Sequence, residues 1–180
     1  SYLQDGVRSV NFFTFNFKLE RLGYWYRQLT AESLGKEKDI DGNPVEIGFI
    51  PTTSTPVELH SIGQLYFSGF KGVYTDFIAL QKMSVDYVVA SDTPIAPKLS
   101  GKSMKEIHDA IQGGVIGAYT ERNLPYRMTT FEKSLPFSLG LFMSQRMLET
   151  MYLAKLMNVN AFNQPNVELY KDITRGLLDG

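Results

Sequence analysis

The stretch VEIGFIPTTSTPVELHSIGQLYFS, Val45–Ser68, has the pattern of a strand, a loop and a helix in direct succession. Its first six residues are β-rich and end at Pro51, and a cluster of hydroxyl side chains then indicates a loop. Thr55 and Glu58 have the spacing of a capping box, with Pro56 between them, so a helix is predicted to begin here and to reach the end of the stretch. This order of elements is typical of an α/β protein.

Similar alternation continues on both sides of this stretch. Helices are predicted where apolar residues recur at helical spacing, and strands where β-branched and aromatic residues cluster. The result is one α/β layered domain with a mainly parallel sheet. The helix that begins near Ser134 is apolar nearly all round, which predicts a central position. The other predicted strands are Ser9–Phe17, Val73–Leu80, Asp86–Ala90 and Tyr126–Phe131, and the other helices are Lys18–Leu34, Ser103–Arg122, Ser134–Leu156 and Pro165–Leu178.

Composition and charge restrict the possible functions. The chain has 180 residues and a mass of 20.4 kDa, and 18 Lys and Arg residues against 19 Asp and Glu residues leave a formal net charge of -1, so no overall field would hold a nucleic acid. The absence of cysteine excludes disulfides and thiolate metal sites and predicts a reducing, cytoplasmic location. The most apolar long stretch, Leu135–Met157, is interrupted by charged residues, so no membrane-spanning segment is predicted.

Glu32 is a candidate catalytic carboxylate because of its place on the first predicted helix. It lies at the negative end of that helix, where a carboxylate is mildly disfavoured, and Gln28 lies one turn earlier on the same face. A residue in an unfavourable place can indicate function, and a carboxylate can serve as a general base. An ion pair with Lys36, which stands at helical spacing from Glu32, is the simpler explanation from position alone.

The histidines and the last helix supply the other candidates. His60 lies near a strand end, where ligand sites of α/β proteins gather, although a helix histidine bonded to a neighbour has the same pattern. His108 is predicted to be a solvated surface residue. Gln164 and Lys171 are seven residues apart and can address one ligand from the same side of the last helix; a capping glutamine and a solvated lysine are the plainer alternatives. No P-loop, nucleotide-binding glycine motif, nucleophile elbow or zinc-binding histidine pair is present.

Three segments, taken in order, resemble the second half of the glucose-6-phosphate isomerase family. They are WYRQLTAESLGKE, TPVELHSIGQLYFSG and NVNAFNQPNVELYK, at residues 25–37, 55–69 and 158–171. The last is the most specific, because the family ends with a similar pattern of Asn, Phe, Gln, Val-Glu and Lys at this spacing. The resemblance spans almost the whole chain. It implies a sugar isomerase (SIS) type layered αβα domain over residues 1–180 and an aldose–ketose isomerase of glycolysis.

The resemblance also implies roles for five residues. Glu32 matches the base that removes the C2 proton of the open-chain sugar phosphate and returns it at C1. His60 matches the ring-opening histidine, which in the family reaches the active site of the neighbouring subunit, so a homodimer is implied. Lys171 matches the lysine that assists ring opening, and Gln28 and Gln164 match glutamines that line the substrate pocket. The family chemistry demands no metal and no cofactor.

The sequence departs from the family pattern in three respects. The family's Ser/Thr phosphate-binding loop is absent, since Thr52–Thr55 lacks its pattern, and no arginine is flanked by the family's glycines. Asn166 stands where the family usually has a small residue, most often glycine. The chain is therefore expected to be a C-terminal portion without the upstream SIS domain and with little activity alone. A non-catalytic sugar-phosphate-binding module and a bifunctional phosphoglucose/phosphomannose isomerase are the alternatives.

Overall fold

A computed structural model describes residues 6–45, 50–68, 72–81, 85–91, 94–132 and 135–179. The strands and helices alternate along much of the chain, and three short 3-10 helices lie at Phe17–Leu19, Pro56–His60 and Pro97–Leu99. The strands are β1 (Ser9–Thr14), β2 (Ile50–Ser54), β3 (Val73–Leu80) and β4 (Tyr126–Phe131), and the helices are α1 (Glu20–Leu34), α2 (Gly63–Phe67), α3 (Met104–Glu121), α4 (Leu135–Leu156) and α5 (Pro165–Asp179).

The four strands form one parallel sheet in the order β2-β1-β3-β4. Because side chains alternate between the two faces of a strand, the aromatic run of β1 contributes to both cores. Phe12 packs with residues of α1 and α4 on one face, and Phe13 packs with residues of α2 and α3 on the other. Helices thus cover both faces, which confirms the predicted α/β layers with a parallel sheet.

Helix α1 lies so close to the sheet that residue 23 has no room for a side chain. A Cβ added to Gly23 would lie 2.5 Å from Thr53 Cγ2 and 2.7 Å from Phe12 Cδ1. Thr53 belongs to β2 and Phe12 to β1, so this glycine allows α1 to pack across two strands. The close approach sets the height of α1, and therefore of its last turn, above the sheet.

Replacing Gly23 with alanine is expected to destabilise the chain by about 1–3 kcal/mol, because the added methyl group overpacks the α1–sheet contact. Gly117→Ala on α3 is the matched control, since nothing lies within 4 Å of a Cβ there. Alanine in an open helical position should stabilise by about 0.5–1 kcal/mol. Urea unfolding of both variants measures the difference, and equal shifts of the same sign would contradict the packing argument.

Three predicted strands differ from the structure, and the first of them is β1, which ends at Thr14 instead of Phe17. Strand β2 covers Ile50–Ser54, so the first three residues of the hydroxyl cluster Thr52–Thr55 are part of a strand and not a loop; of the predicted strand, residues 46–49 lie outside the described part of the chain. The hydroxyls of Thr52 and Ser54 bond Asn11 Oδ1 on β1 at 3.2 and 2.8 Å. Pro51 is tolerated because β2 stands at one edge of the described sheet, where a missing N–H disrupts no second ladder.

The predicted strand Asp86–Ala90 is wrong. This segment makes an isolated antiparallel bridge, Val88 to Ser103, and its main chain bonds the residues that lead into α3. Its residues are largely exposed despite their β-branched and aromatic character. Strand composition was therefore a misleading signal here, because this segment bonds the residues that lead into α3 and not a strand of the described sheet.

The predicted helices are confirmed with shifted ends. The segment after Thr55 divides into a 3-10 helix and α2, and both predicted capping boxes, Thr55 with Glu58 and Ser103 with Glu106, are present. No helix of the described ranges combines the length and apolar character needed to cross a membrane.

Helix α4 is not central as predicted, since it buries a single ridge against α1 and the sheet. That ridge is partly polar and consists of Ser138, Phe142, Arg146, Thr150 and Ala154. Large apolar side chains on its other sides are exposed: Leu141, Leu148, Tyr152 and Leu156. The all-round apolar pattern therefore does not correspond to all-round burial in the described chain.

Candidate functional site

Glu32 lies in the last turn of α1 and presents its carboxylate to two amide groups. Gln28 Nε2, one helical turn earlier, donates to Glu32 Oε1 at 3.0 Å, and Gln164 Nε2 donates to Glu32 Oε2 at 2.9 Å. The first contact is a neighbour pair on a helix face, whereas the second joins residues 132 positions apart. Three of the five residues that the family resemblance singles out therefore meet at one carboxylate.

Lys36 is buried beside this carboxylate, with 5% of its surface exposed. Its ammonium donates to the main-chain oxygen of Glu32 at 2.7 Å and to the main-chain oxygen of Asn163. Helix α1 ends here, where Gly35 N–H bonds the Ala31 oxygen, and a cation suits the unpaired carbonyls of a helix end. Burial lowers the pKa of the Lys36 ammonium, and the charge of Glu32 opposes that shift.

The simpler explanation of Glu32, an ion pair between its carboxylate and Lys36, is therefore not what the hydrogen bonds show. Both carboxylate oxygens bond glutamine amides, and the ammonium bonds main-chain carbonyls. Gln164 likewise bonds Glu32 through its side chain, where a capping role was the plainer alternative.

An open groove of about 210 Å³ borders this carboxylate; we call it the Glu32 groove. It lies between the end of α1 and the start of α5. Asn166, the residue that departs from the family pattern, lies in the first turn of α5 and lines it. The groove is formed by Ala31, Glu32, Gly35, Lys36, Gln164, Pro165, Asn166 and Val167.

Lys171 and His60 do not line the Glu32 groove. Lys171 lies in the second turn of α5, where Glu168 Oε1 accepts its hydrogen bond at 2.7 Å, and this bond raises the pKa of the Lys171 ammonium. His60 is exposed at the end of the 3-10 helix that follows β2.

Glu32 and His60 lie toward opposite ends of the sheet. Because β1 and β2 are parallel and α1 lies between them in the chain, α1 returns the chain to the end of the sheet where both strands begin, whereas His60 comes after β2 has ended. Leu59, the neighbour of His60, packs on the face covered by α2 and α3, and α1 covers the other face. A single copy of this chain does not bring the two side chains together.

His108 is not the solvated residue that its sequence neighbours suggest. Its Nε2 lies 3.0 Å from the main-chain oxygen of Phe15, and its ring packs edge-on to the Phe15 ring. The side chain is 21% exposed. His108 thus ties α3 to the end of β1, away from Glu32.

A buried charge cluster is the main feature that sequence reasoning missed. Asp76, in the middle of β3, is fully buried and bonds Arg127 Nε and Nη2 at 3.1 and 2.6 Å. Arg146 of α4 approaches the same carboxylate at 3.5 Å, and Glu149 bonds both arginines. Charged residues inside the otherwise strand-like runs VYTDFIAL and YRMTTF were the available signal.

The chain is similar in sequence to bacterial proteins named glucose-6-phosphate isomerase. The chain is 29% identical over 165 residues to glucose-6-phosphate isomerase of Lactobacillus johnsonii, covering 89% of this chain and 35% of the relative. It is 28% identical over 157 residues to the enzyme of that name from Streptococcus pyogenes, covering 85% and 33%. The resemblance to glucose-6-phosphate isomerases is confirmed. The chain spans about a third of the length of these relatives, and no protein-family model matches it.

Solved structures agree on the fold. A crystal structure of a hypothetical protein from Thermus thermophilus superposes with a TM-score of 0.87 and 27% identity, covering 97% of this chain and 42% of that one. A glucose-6-phosphate isomerase from Chlamydia trachomatis superposes with a TM-score of 0.75 at 17% identity, covering 97% and 35%. The chain therefore shares the isomerase fold.

For the isomerase resemblance, the structure thus divides the five matched residues into two groups. Glu32, Gln28 and Gln164 are in hydrogen-bond contact, while Lys171 and His60 stand apart from them within this chain. Among the described residues, no cluster of three or more His, Asp or Glu side chains could hold a metal ion. The catalytic and binding roles that the isomerase family suggests for all five remain predictions.

Proposed function

We propose that this chain supplies the proton-transferring part of a glucose-6-phosphate isomerase. The observation that carries the proposal is the Glu32 carboxylate, which two neutral amides hold at the edge of an open groove. Neutral donors orient a carboxylate without pairing it with a fixed cation, so it can still accept a proton. In the proposed site, Gln28 and Gln164 also line the substrate pocket.

The proposed reaction begins with the open-chain aldose phosphate. Glu32 takes the proton from C2, the C–H electron pair forms a C1–C2 double bond, and the C1 carbonyl π pair moves onto its oxygen to give an enediolate. The carboxylic acid then returns the proton to C1, the proton of the C2 hydroxyl moves to the C1 oxygen, and the carbonyl is now at C2. No electrons leave the sugar, so the step needs no redox partner. Fixed hydrogen-bond donors near the enediolate oxygens would lower the barrier further.

Ring opening is assigned in this proposal to His60 and Lys171. Since one copy of the chain keeps His60 away from Glu32, the histidine would come from a second copy, and the active form is a homodimer. A phosphate-binding SIS domain upstream of this segment would complete the site. This is in keeping with the match to the Lactobacillus johnsonii enzyme, of which the chain covers 35%. We place the enzyme in the cytoplasm, and this chain at its C-terminal part.

The proposal is tested by assaying the full-length isomerase that we propose contains this chain. Conversion of glucose 6-phosphate to fructose 6-phosphate is expected, and conversion of mannose 6-phosphate would instead favour the bifunctional enzyme. The chain alone is expected to be nearly inactive and to bind sugar phosphate weakly in calorimetry. Tight binding by the chain without turnover by the full-length protein would favour the non-catalytic module.

Subunit complementation tests the shared site. Glu32→Gln and His60→Asn variants, each nearly inactive alone, should regain about a quarter of the wild-type activity when unfolded, mixed and refolded, because half of the dimers are mixed and each carries one intact site. If both residues served one site within a single copy, the mixed dimer would have no intact site and activity would not return. Mixing each variant with itself is the control.

A further inference from the structure

Lys36 connects the two segments that carry the Glu32 carboxylate and its distant amide donor. Its ammonium bonds the main-chain oxygens of Glu32 and Asn163. Asn163 immediately precedes Gln164, whose side-chain amide bonds the Glu32 carboxylate. The bonds of Lys36 and the bond of Gln164 therefore join the same two segments, the end of α1 and the residues just before α5. In the second segment, their attachment points are the adjacent residues Asn163 and Gln164.

The hydrogen bond between the Glu32 and Gln164 side chains cannot by itself hold the two segments together. Both residues are exposed, and a hydrogen bond between exposed side chains contributes little net free energy. Lys36, in contrast, is almost fully buried and donates to two carbonyls, so water competes less for its bonds than for a bond between exposed side chains. The carbonyls at the end of α1 have no partner within the helix, and the carbonyl of Glu32 accepts a hydrogen bond from the Lys36 ammonium.

We propose that Lys36 is a positioning residue: its buried ammonium sets the distance between Glu32 and Gln164, and thereby the orientation of the carboxylate toward the reacting carbons. This inference rests on the proposed isomerase function. Without the ammonium, two carbonyls would lose their shared donor and the start of α5 would separate from the end of α1. Gln28 would keep its bond to Glu32, because both residues belong to α1.

The test compares Lys36→Met with Lys38→Met, the same change at an exposed lysine two residues away. Nuclear magnetic resonance of the chain reports the side-chain amide shifts of Gln164 and Gln28. In Lys36→Met, the Gln164 amide shifts are expected to move to those of a solvated glutamine while the Gln28 shifts stay. In Lys38→Met neither should change. Unchanged Gln164 shifts in Lys36→Met would overturn the inference.

Kinetics of the full-length isomerase give the second measurement. Lys36→Met is expected to lower kcat by about 10- to 100-fold, as displacement of a reacting group by about 1 Å can do, and to change KM by a smaller factor. If kcat of Lys36→Met stayed within about twofold of wild type, or if Lys38→Met lost as much, the positioning role of Lys36 would be overturned. The proposed isomerase function would not be affected by that result. A wild-type protein without isomerase activity would overturn the proposed function instead, whatever the amide shifts.

Chemical restoration covers the case in which Lys36→Met does not fold. The chain has no cysteine, so Lys36→Cys introduces a single thiol that can be alkylated with bromoethylamine in the unfolded state. The product is a lysine analogue with an ammonium at nearly the original distance. Refolded, it should recover the wild-type Gln164 shifts, and the Lys36→Gln variant should not. Failure of the restored ammonium to recover these shifts would overturn the inference.

Discussion

Replacing Glu32 with glutamine is expected to lower kcat for glucose 6-phosphate isomerisation by about 10²- to 10⁴-fold, the usual contribution of a positioned general base. Glutamine has almost the same shape but cannot accept the C2 proton. The side chain is exposed on the last turn of α1, so folding stability should change by less than about 0.5 kcal/mol. Initial rates in both directions, with thermal unfolding of the same preparations, separate the loss of chemistry from a loss of fold.

Glu121→Gln is the matched control for this variant, because Glu121 is also an exposed glutamate in the last turn of a helix, α3. It should keep the wild-type rate. Glu32→Asp adds a test of position: it keeps the carboxylate but withdraws it by one methylene, and a shift of about 1 Å can cost about 10²-fold. Survival of a near wild-type rate in Glu32→Gln would show that another group is the base.

Replacing Asp76 with asparagine is expected to destabilise the chain by about 3–5 kcal/mol, the usual effect of removing one partner from a buried charge cluster. Asp76 is fully buried and accepts two hydrogen bonds from Arg127. Burial disfavours the Arg127 cation, but the hydrogen bonds and charge of Asp76 outweigh this effect and raise the pKa of its guanidinium. Arg146 Nε is already buried with no partner among the described residues, so the cluster has no spare acceptor there.

Urea unfolding of Asp76→Asn measures this effect. The control is Asp109→Asn, which removes an exposed partner of Lys105 on α3 and should leave the unfolding midpoint nearly unchanged, as is usual for surface ion pairs. Substituting the cluster as a whole with apolar residues of similar volume should cost less than Asp76→Asn, because no charge would remain without a partner. A loss below about 1 kcal/mol in Asp76→Asn would show that water solvates the cluster.

The helices were largely predictable because their signals are local. The capping boxes and the helical spacing in α1 and α3 depend on residues three or four positions apart, and the structure contains these elements. The strand at Asp86–Ala90 was predicted wrongly because a strand also needs a neighbour, which composition does not report. The same limit applies to β2, where hydroxyl residues typical of a loop are bonded instead to Asn11 on β1.

In the candidate site, too, contacts within one helix were predictable and contacts between distant segments were not. Gln28 and Glu32 are one helical turn apart, so their contact followed from spacing, whereas the approach of Gln164 was expected only from the family resemblance. Nothing near Lys36 in the sequence marks it as buried, because its burial depends on the segment around Asn163. Likewise, nothing local places Arg127 and Arg146 at Asp76.

By itself, the sequence determined most of the alternation of strands and helices, the two capped starts at Thr55 and Ser103, and the place of Glu32 at the end of α1. Only the tertiary structure decided which strands pair, which side of α4 is covered, what holds the Glu32 carboxylate, and that His60 lies at the other end of the sheet. The physical reason is the range of the interactions: caps and helical periodicity act within one turn of the chain. Strand pairing and burial exist only after distant segments have come together, and the bonds of Lys36 to Asn163 and of Gln164 to Glu32 join residues 127 and 132 positions apart.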